Sequence, residues 1–551
     1  MNGVTSIANI LKSEGIEYLF CFPNNPLIEA AAIAGLRPII SRTERGAINM
    51  ADGYSRTASR GQIGVCAMQY GPGIENAYGG IAQAYADSVP ILLIPTGMER
   101  RRDGVHPSFS TVQNYRGITK WVDQITFADR VPEMMRHAFT KLRSGQSGPV
   151  LLELPVDVAT EEFDEIDFPH LPTKGIRSSG DPSDIREAVK TLLAAEAPVL
   201  HVGQGVLEAE AWKELKEFAE LVNAPVMTLT TGKSAFPEDH PLSVGVAAST
   251  ATGMVDHFLA KADLVFGIGS NFYRSLVSAP IPKGKIMIQC SADERDFSNE
   301  HALHHAVLGD PKLVLLQLIE EVKRQAGTQG RPERQRVAVE IKREKATWLK
   351  HWMPKLTSQQ IPINPYRVIW DLMHAVDRTR TIVTHDSGHP RDQMVPFYEA
   401  IMPKGYIGWG NTTQLGYSLG ASIGAKLASP EKSVVHVMGD AAFGMAGMDF
   451  ETSIRAEAPI LTILLNNGRM GGYGERMPSA TAQFESNRLG GSYTQIAAGM
   501  GLWAKRVEQP DDLTPSILRA SEVTAEGSSA LLEIITGEEN SFSRVSWMTG
   551  G

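Results

Sequence analysis

Two groups of residues, far apart in the chain, have the types and spacing to do chemistry together. The first is Gly439-Asp440-Ala441-Ala442, which ends the apolar run Val434–Met438, followed by Asn466-Asn467, which ends the apolar run Leu461–Leu465. If these runs are neighbouring parallel strands, Asp440 and Asn467 stand side by side at one sheet edge, where open α/β sheets bind ligands. A carboxylate and a carboxamide are hard oxygen donors that suit Mg²⁺, with water and phosphate oxygens completing the shell. The backbone carbonyl of Arg469, in the next loop, would complete the protein's share. Gly439, Ala441, Ala442 and Gly444 let a diphosphate lie close to backbone N–H groups at a helix start. A lone Gly-Asp after a strand is ordinarily a turn; it is the spacing to Asn467 that points to a metal–diphosphate site. The second group is Thr43-Glu44-Arg45-Gly46-Ala47, followed by Ala51-Asp52-Gly53-Tyr54. It places the Glu44 carboxylate at the start of a closely packed helix of small and apolar residues.

The elements that must position these groups alternate between strand and helix, which implies parallel sheets. Strands are expected at 17–20, 63–68, 91–94 and 150–154, with helices over 44–56 and, after the Gly71-Pro72-Gly73 turn, 76–86. A Pro-rich polar stretch, 155–182, reads as a linker. A second unit has strands at 198–203, 224–227, 264–268 and 285–289. A charged segment, 323–360, leads to a third unit with strands at 381–384, 433–438, 460–465 and 530–534. The expected domains are 1–170, 183–325 and 360–551.

Composition narrows the class. A chain of 551 residues with 42% hydrophobic content is too long for one core. The net charge of −9 carries no long single-sign run, which argues against a nucleic-acid partner. Three separated cysteines, Cys21, Cys66 and Cys290, exclude a CxxC metal site and suit a reducing cytoplasm. The amphipathic start, with Ile7, Ile10 and Leu11 on one side, is not read as a signal peptide. No apolar run approaches the roughly 20 residues of a membrane span.

Several segments, in the same order, resemble the acetolactate synthase-like superfamily of thiamin diphosphate enzymes over essentially the full chain. They are the Glu44 helix TERGAINMADGYSR, the stretch from Gly71-Pro72-Gly73 to Asp87-Ser88-Val89-Pro90, Gln414 to Ala425, and the Gly-Asp to Asn-Asn motif. The resemblance implies an α/β fold of three doubly wound parallel-sheet domains: pyrimidine-binding, central Rossmann-like and diphosphate-binding. It implies thiamin diphosphate and Mg²⁺ as cofactors, held between the first domain of one chain and the third of its partner. A homodimer or homotetramer is therefore expected. Glu44 would hydrogen-bond the aminopyrimidine nitrogen and favour the imino tautomer, which takes the thiazolium proton. Leu415 would prop the cofactor in its bent form, and backbone groups of Thr413 and Leu415 would hold the pyrimidine edge. Gly73, Ser387, Gly388, His389, Met470 and Gly471 align with further cofactor contacts.

On the substrate side Gln113 aligns with a polar residue close to the substrate, with His106, Phe109 and Asn114 near it in sequence. Asn24 and Asn25 stand where acetolactate synthases carry glycines; they read equally as donors to a substrate oxyanion and as helix caps. The implied activity is a C–C lyase or carboligase acting on a 2-oxo acid, ketone or aldehyde. Arg476-Met477-Pro478 after the metal loop departs from biosynthetic acetolactate synthases. The segment THDSGHPRDQ is equally similar to 2-hydroxyacyl-CoA lyases, which would take an acyl-CoA substrate. An oxalyl-CoA decarboxylase-like enzyme and a non-catalytic thiamin diphosphate-binding paralogue are also compatible with these motifs. Gly203-Gln204-Gly205 and Gly267-Ile268-Gly269 are glycine turns in the central unit. There the family holds FAD, ADP or neither, and Arg274 and Asp293 are the residues that could serve such a ligand. A dehydrogenase reading fails because Gly203-Gln204-Gly205-Val206-Leu207-Glu208 lacks the third glycine of the dinucleotide fingerprint.

Overall fold

The computed structural model describes residues 1–164, 170–332 and 336–548. Its strands form three six-stranded sheets, all parallel among the described residues. The first contains β1 (Tyr18–Phe22), β2 (Arg37–Ile40), β3 (Gly64–Met68), β4 (Ile91–Gly97), β5 (Trp121–Gln124) and β6 (Val150–Pro155), in the order β2-β1-β3-β4-β6-β5. The central sheet contains β7 (Pro198–Val202), β8 (Val226–Thr228), β9 (Ser243–Val246), β10 (Leu264–Ile268), β11 (Ile286–Ser291) and β12 (His305–Leu308). Its order is β12-β11-β10-β7-β8-β9, which read from the far edge is the Rossmann arrangement, reversing direction between β7 and β10. The third contains β13 (Thr381–His385), β14 (Tyr406–Ile407), β15 (Ser433–Gly439), β16 (Leu461–Asn466), β17 (Trp503–Val507) and β18 (Ala530–Ile535). Its order, β14-β13-β15-β16-β18-β17, repeats that of the first sheet.

One expectation is corrected. The segment 323–360 is no plain connector: most of it is the helix Val337–Leu356, whose Trp352 and Leu356 pack into the core of the third domain. The stretch 155–182 begins with the short helix Val156–Thr160 and ends in Asp181, which caps the helix Pro182–Ala194; residues 165–169 of it lie outside the described residues.

The first and third domains share one hydrophobic core. It runs from Phe20, Ile48 and Met50 through Tyr417 and Ile423 to Phe443 and Leu464. The seam is the crossing of the helices Glu44–Thr57 and Tyr417–Ala428. They approach to backbone contact because each carries glycine there: a Cβ on Gly53 would overlap the Ala421 carbonyl, and one on Gly424 the Met50 carbonyl. The seam also holds a buried polar knot. Asp52 accepts hydrogen bonds from the Tyr417 hydroxyl and from Arg56, and Arg56 also pairs with Asp87 at 2.9 Å and donates to the Gly408 carbonyl at 3.0 Å. Gly424→Ala is expected to lower stability by about 2–4 kcal/mol, because backbone rather than a movable side chain is in the way. A denaturant midpoint unchanged from wild type would show that this crossing does not bear on stability.

Candidate functional site

Strands β15 and β16 are adjacent, with Gly439 in register with Leu465, so Asp440 and Asn467 leave neighbouring strand ends together. They do so beside the point where the third sheet reverses order, between β13 and β15. The loops after β13, β15 and β16 therefore converge, and these are the loops that carry Ser387-Gly388-His389, Gly439-Asp440 and Asn467-Gly471.

Asp440 is buried and accepts the Gly468 N–H at 2.9 Å. Desolvation pushes its carboxyl up to about 6, against the backbone N–H groups that lower it. A buried carboxylate with no cation is costly, and a divalent ion would remove that cost. Asn466 is held away from the site: its Nδ2 donates to Glu533 at 2.8 Å and its Oδ1 accepts from Gly468 N–H. Asn467 turns its Oδ1 onto the Arg469 N–H at 3.0 Å. Thus the carboxamide of Asn467, not that of Asn466, is left at the loop surface. Met470 is anchored by the Asn487 carbonyl at 2.8 Å. Gly471 has no room for a side chain, since a Cβ would come within 2.6 Å of the His389 ring. Burial lowers the pKa of His389, so the ring is neutral at pH 7 and has an N–H to donate. One expectation is corrected here: the Ala441 N–H is not free for a phosphate, because the Asp440 carboxylate takes it at 2.8 Å.

Asp386 was not singled out in the sequence, yet it organises two of these loops. Fully buried, it accepts from the N–H groups of Ser387, Gly416 and Ser418 and from the Ser418 hydroxyl. It thereby ties the Ser387 loop to the loop carrying Thr413 and Leu415. Its only sequence signal is an acid directly after an apolar strand, the signal that Asp440 also gives. Glu533, inside β18, accepts from Asn466 Nδ2 at 2.8 Å and so braces the loop after β16; it is equally unmarked in the sequence.

On the first domain, Glu44 opens its helix just after the cap Thr43, whose hydroxyl accepts from Gly46 N–H. The Glu44 side chain is buried and accepts from Asn76 Nδ2 at 3.3 Å. This helix start abuts the segment that follows Asp440: Arg42 N–H donates to Asp449 at 2.8 Å and Arg45 to the Met445 carbonyl at 3.4 Å. Gly73 lies buried in the helix Pro72–Ala86. On the same helix, Gly79 leaves room for Gln414, the residue before Leu415. Leu415 is half-buried against the shared core, and Thr413 is exposed.

The substrate-side candidates are placed unequally. Asn25 and Gln113 are exposed at the C-terminal edge of the first sheet. Asn24 is corrected: it makes no helix-capping bond, and its Nδ2 is spent on the carbonyls of Met68 and Ile94 at 3.4 and 3.3 Å. It bridges the ends of β3 and β4 instead. Asp293 is ion-paired with Arg295 at 2.7 Å, and the backbone N–H of Arg274 donates to Glu300 at 3.0 Å.

Family models of the thiamine pyrophosphate enzymes match three successive stretches: the N-terminal TPP binding domain over residues 1–126, the central domain over 185–318 and the C-terminal TPP binding domain over 386–534. A probable acetolactate synthase large subunit from Methanocaldococcus jannaschii is 30% identical over 550 residues, spanning 94% of this chain and 90% of that protein. The chain belongs to the acetolactate synthase-like thiamine pyrophosphate enzymes. A glyoxylate carboligase from Escherichia coli is 28% identical, across 96% of this chain and 91% of that one. The benzoylformate decarboxylase of Polynucleobacter necessarius has the same fold, with a TM-score of 0.81 over 98% of this chain and all of that one, at 19% identity.

The residues present fit the family's cofactor. Gly388 and Gly444 face open space, where a side chain would intrude on a diphosphate. In the loop before the helix Tyr417–Ala428, Thr412 Oγ1 and Gln414 Oε1 are buried without a partner among the described residues, as expected of groups that await a ligand. Among the described residues no cluster of three or more His, Cys, Asp or Glu could hold a metal. A divalent ion here would rest on Asp440, Asn467, a backbone carbonyl and oxygens from outside the protein.

A cavity of about 590 Å³ lies at the junction of all three domains, within the size range of small-molecule sites. It opens outside the strand ends at the reversal point of the central sheet. There the turns Gly203-Gln204-Gly205 and Gly269 touch backbone to backbone because neither has a Cβ. Among the described residues no helix is long and apolar enough to cross a membrane.

Proposed function

We propose that this chain is a thiamin diphosphate- and Mg²⁺-dependent lyase or carboligase that makes or breaks a C–C bond next to the carbonyl of a 2-oxo acid or 2-hydroxy ketone. The observation that carries the reading is the convergence of the loops after β13, β15 and β16 around Asn467 and the buried Asp440, with the buried Glu44 on a helix whose start abuts the segment after Asp440. Bound thiamin diphosphate supplies a nucleophilic carbon that adds to a carbonyl and stores the resulting charge. In this reading Asp440, Asn467 and the Arg469 carbonyl hold the Mg²⁺. Ser387, Gly388, His389, Gly439, Ala442, Met470 and Gly471 line the diphosphate, and Thr413, Leu415 and Gly73 border the pyrimidine. Glu44, kept from water, holds and returns a proton at the pyrimidine nitrogen. Asn25 and Gln113, exposed at the rim, are the polar contacts for the reacting carbonyl. A homodimer in the cytoplasm is the working form we assign, the partner covering that rim. The three-domain cavity is read as a nucleotide site of the ADP or FAD class.

That glyoxylate carboligase and acetolactate synthases align along nearly the whole chain supports a 2-oxo acid as donor. Calorimetric titration of the cofactor-free protein with thiamin diphosphate tests the reading. Binding near one per chain that requires Mg²⁺ is expected. Absence of binding to a folded oligomer would overturn it in favour of a non-catalytic paralogue.

A further inference from the structure

Two carboxyl groups lining the cavity between the three domains, Asp296 and Glu208, form no ion pair among the described residues, and burial raises both. Of the acids lining that cavity, Asp87 is neutralised by Arg56 at 2.9 Å and Asp310 by Arg60 at 2.8 Å. Asp296 accepts the Ser291 hydroxyl at 2.5 Å. Glu208, at the end of the short helix Gly205–Glu208, accepts only the carboxamide N–H of Gln204, at 3.0 Å. Among the described residues it forms no ion pair.

The cations that face it are committed elsewhere. Arg56, on the helix Glu44–Thr57, serves Asp52 and Asp87. Arg60, in the loop after that helix, serves Asp310 and the Ala209 carbonyl. Lys120, beside β5, donates to the carbonyls of Lys141, Ser144 and Gln146 at 2.5–2.6 Å. Burial pushes the Glu208 carboxyl up to about 7, only partly offset by Gln204 and these three cations.

We propose that Glu208 takes up a proton when the cavity binds an anionic nucleotide, so that occupancy falls as the pH rises. This rests on the nucleotide reading of the cavity. The physical reason is direct. A diphosphate brought into a low-dielectric space near a carboxylate raises that group's affinity for protons. As an acid, Glu208 donates an O–H hydrogen bond to the ligand; as a carboxylate it repels it. By linkage, binding then carries a proton from the buffer.

The test uses the full-length chain and ADP as probe. Calorimetric titrations at a pH of about 8, in two buffers of different ionisation enthalpy such as HEPES and Tris, count the protons taken up. Uptake of more than about half a proton per ADP is expected, with affinity falling toward tenfold per pH unit between about pH 8 and 9. Glu208→Gln should bind ADP without proton uptake, and its affinity should be nearly flat over that range. Lys120, which burial lowers to about 8, titrates in the same window. Uptake or pH dependence that survives Glu208→Gln would assign the effect to Lys120 or another group and overturn the proposal. The wild-type buffer pair stands on its own if the variant folds poorly, and ADP binding without uptake overturns the proposal directly. Failure to bind ADP at all overturns the nucleotide reading of the cavity, and the proposal with it, while leaving the thiamin diphosphate site to its own titration.

Discussion

Glu44→Gln is expected to slow exchange of the C2 proton of bound thiamin diphosphate, and turnover with it, by about 10²–10⁴-fold, the range over which one positioned acid–base group acts. Glutamine has the same shape and still accepts from Asn76 Nδ2, so the contact at 3.3 Å survives. The helix cap comes from Thr43 and not from Glu44, so the helix start is preserved. What is lost is the ability to hold and return a proton in a buried place. The variant should therefore keep its thermal stability and still bind thiamin diphosphate. If exchange in the variant, followed by NMR, is as fast as in wild type, Glu44 does not do this work.

Asp440→Asn is expected to separate stability from function. In the cofactor-free protein the Asp440 carboxyl is raised to about 6 by desolvation. The folded state thus binds this proton more tightly than the unfolded chain does. Ionising Asp440 costs the fold stability as pH rises from about 4 through 6, and the cost is complete above that. Asparagine removes the charge and keeps an oxygen for the Gly468 N–H. The apo variant should be more stable than wild type at pH 7–8, by on the order of 1 kcal/mol, and near parity at pH 4. Mg²⁺-dependent retention of thiamin diphosphate should weaken by at least about 100-fold, since losing a metal ligand costs more than losing its outer-shell support. Thermal melts across pH, with and without Mg²⁺ and cofactor, check both halves. Unchanged retention would remove Asp440 from the metal site.

The twelve strands legible in the sequence are the interior strands of the three sheets, such as β3, β10 and β15. Buried on both faces between helices, an interior parallel strand reads as a continuous apolar run. The six edge strands, β2, β5, β9, β12, β14 and β17, gave no such signal. Arg37–Ile40 and Trp503–Val507 are largely exposed or half-buried, with one buried residue each, Tyr406–Ile407 is two residues long, and Ser243–Val246 bends at Gly245 with φ +89°. Edge positions need only one partner, so their composition is free to look like loop.

The same division holds for the site. Glu44, Asp440 and Asn467 are legible because chemistry constrains their types and their place at strand ends. The sequence alone determined the α/β class and the parallel sheets, and it proposed the pairing of one helix carboxylate with one metal–diphosphate edge. Only the tertiary structure decided that Asn24 bridges strand ends, that Ala441 gives its N–H to Asp440, and that Asp386 and Glu533 brace the loops. It alone joined the first and third domains through Gly53 and Gly424 and set Glu208 at a three-domain cavity with no ion pair among the described residues. These depend on which backbone groups and charges arrive next to one another from hundreds of residues apart. Hydrogen bonding and desolvation are set by that proximity, and residue type and local periodicity do not encode it.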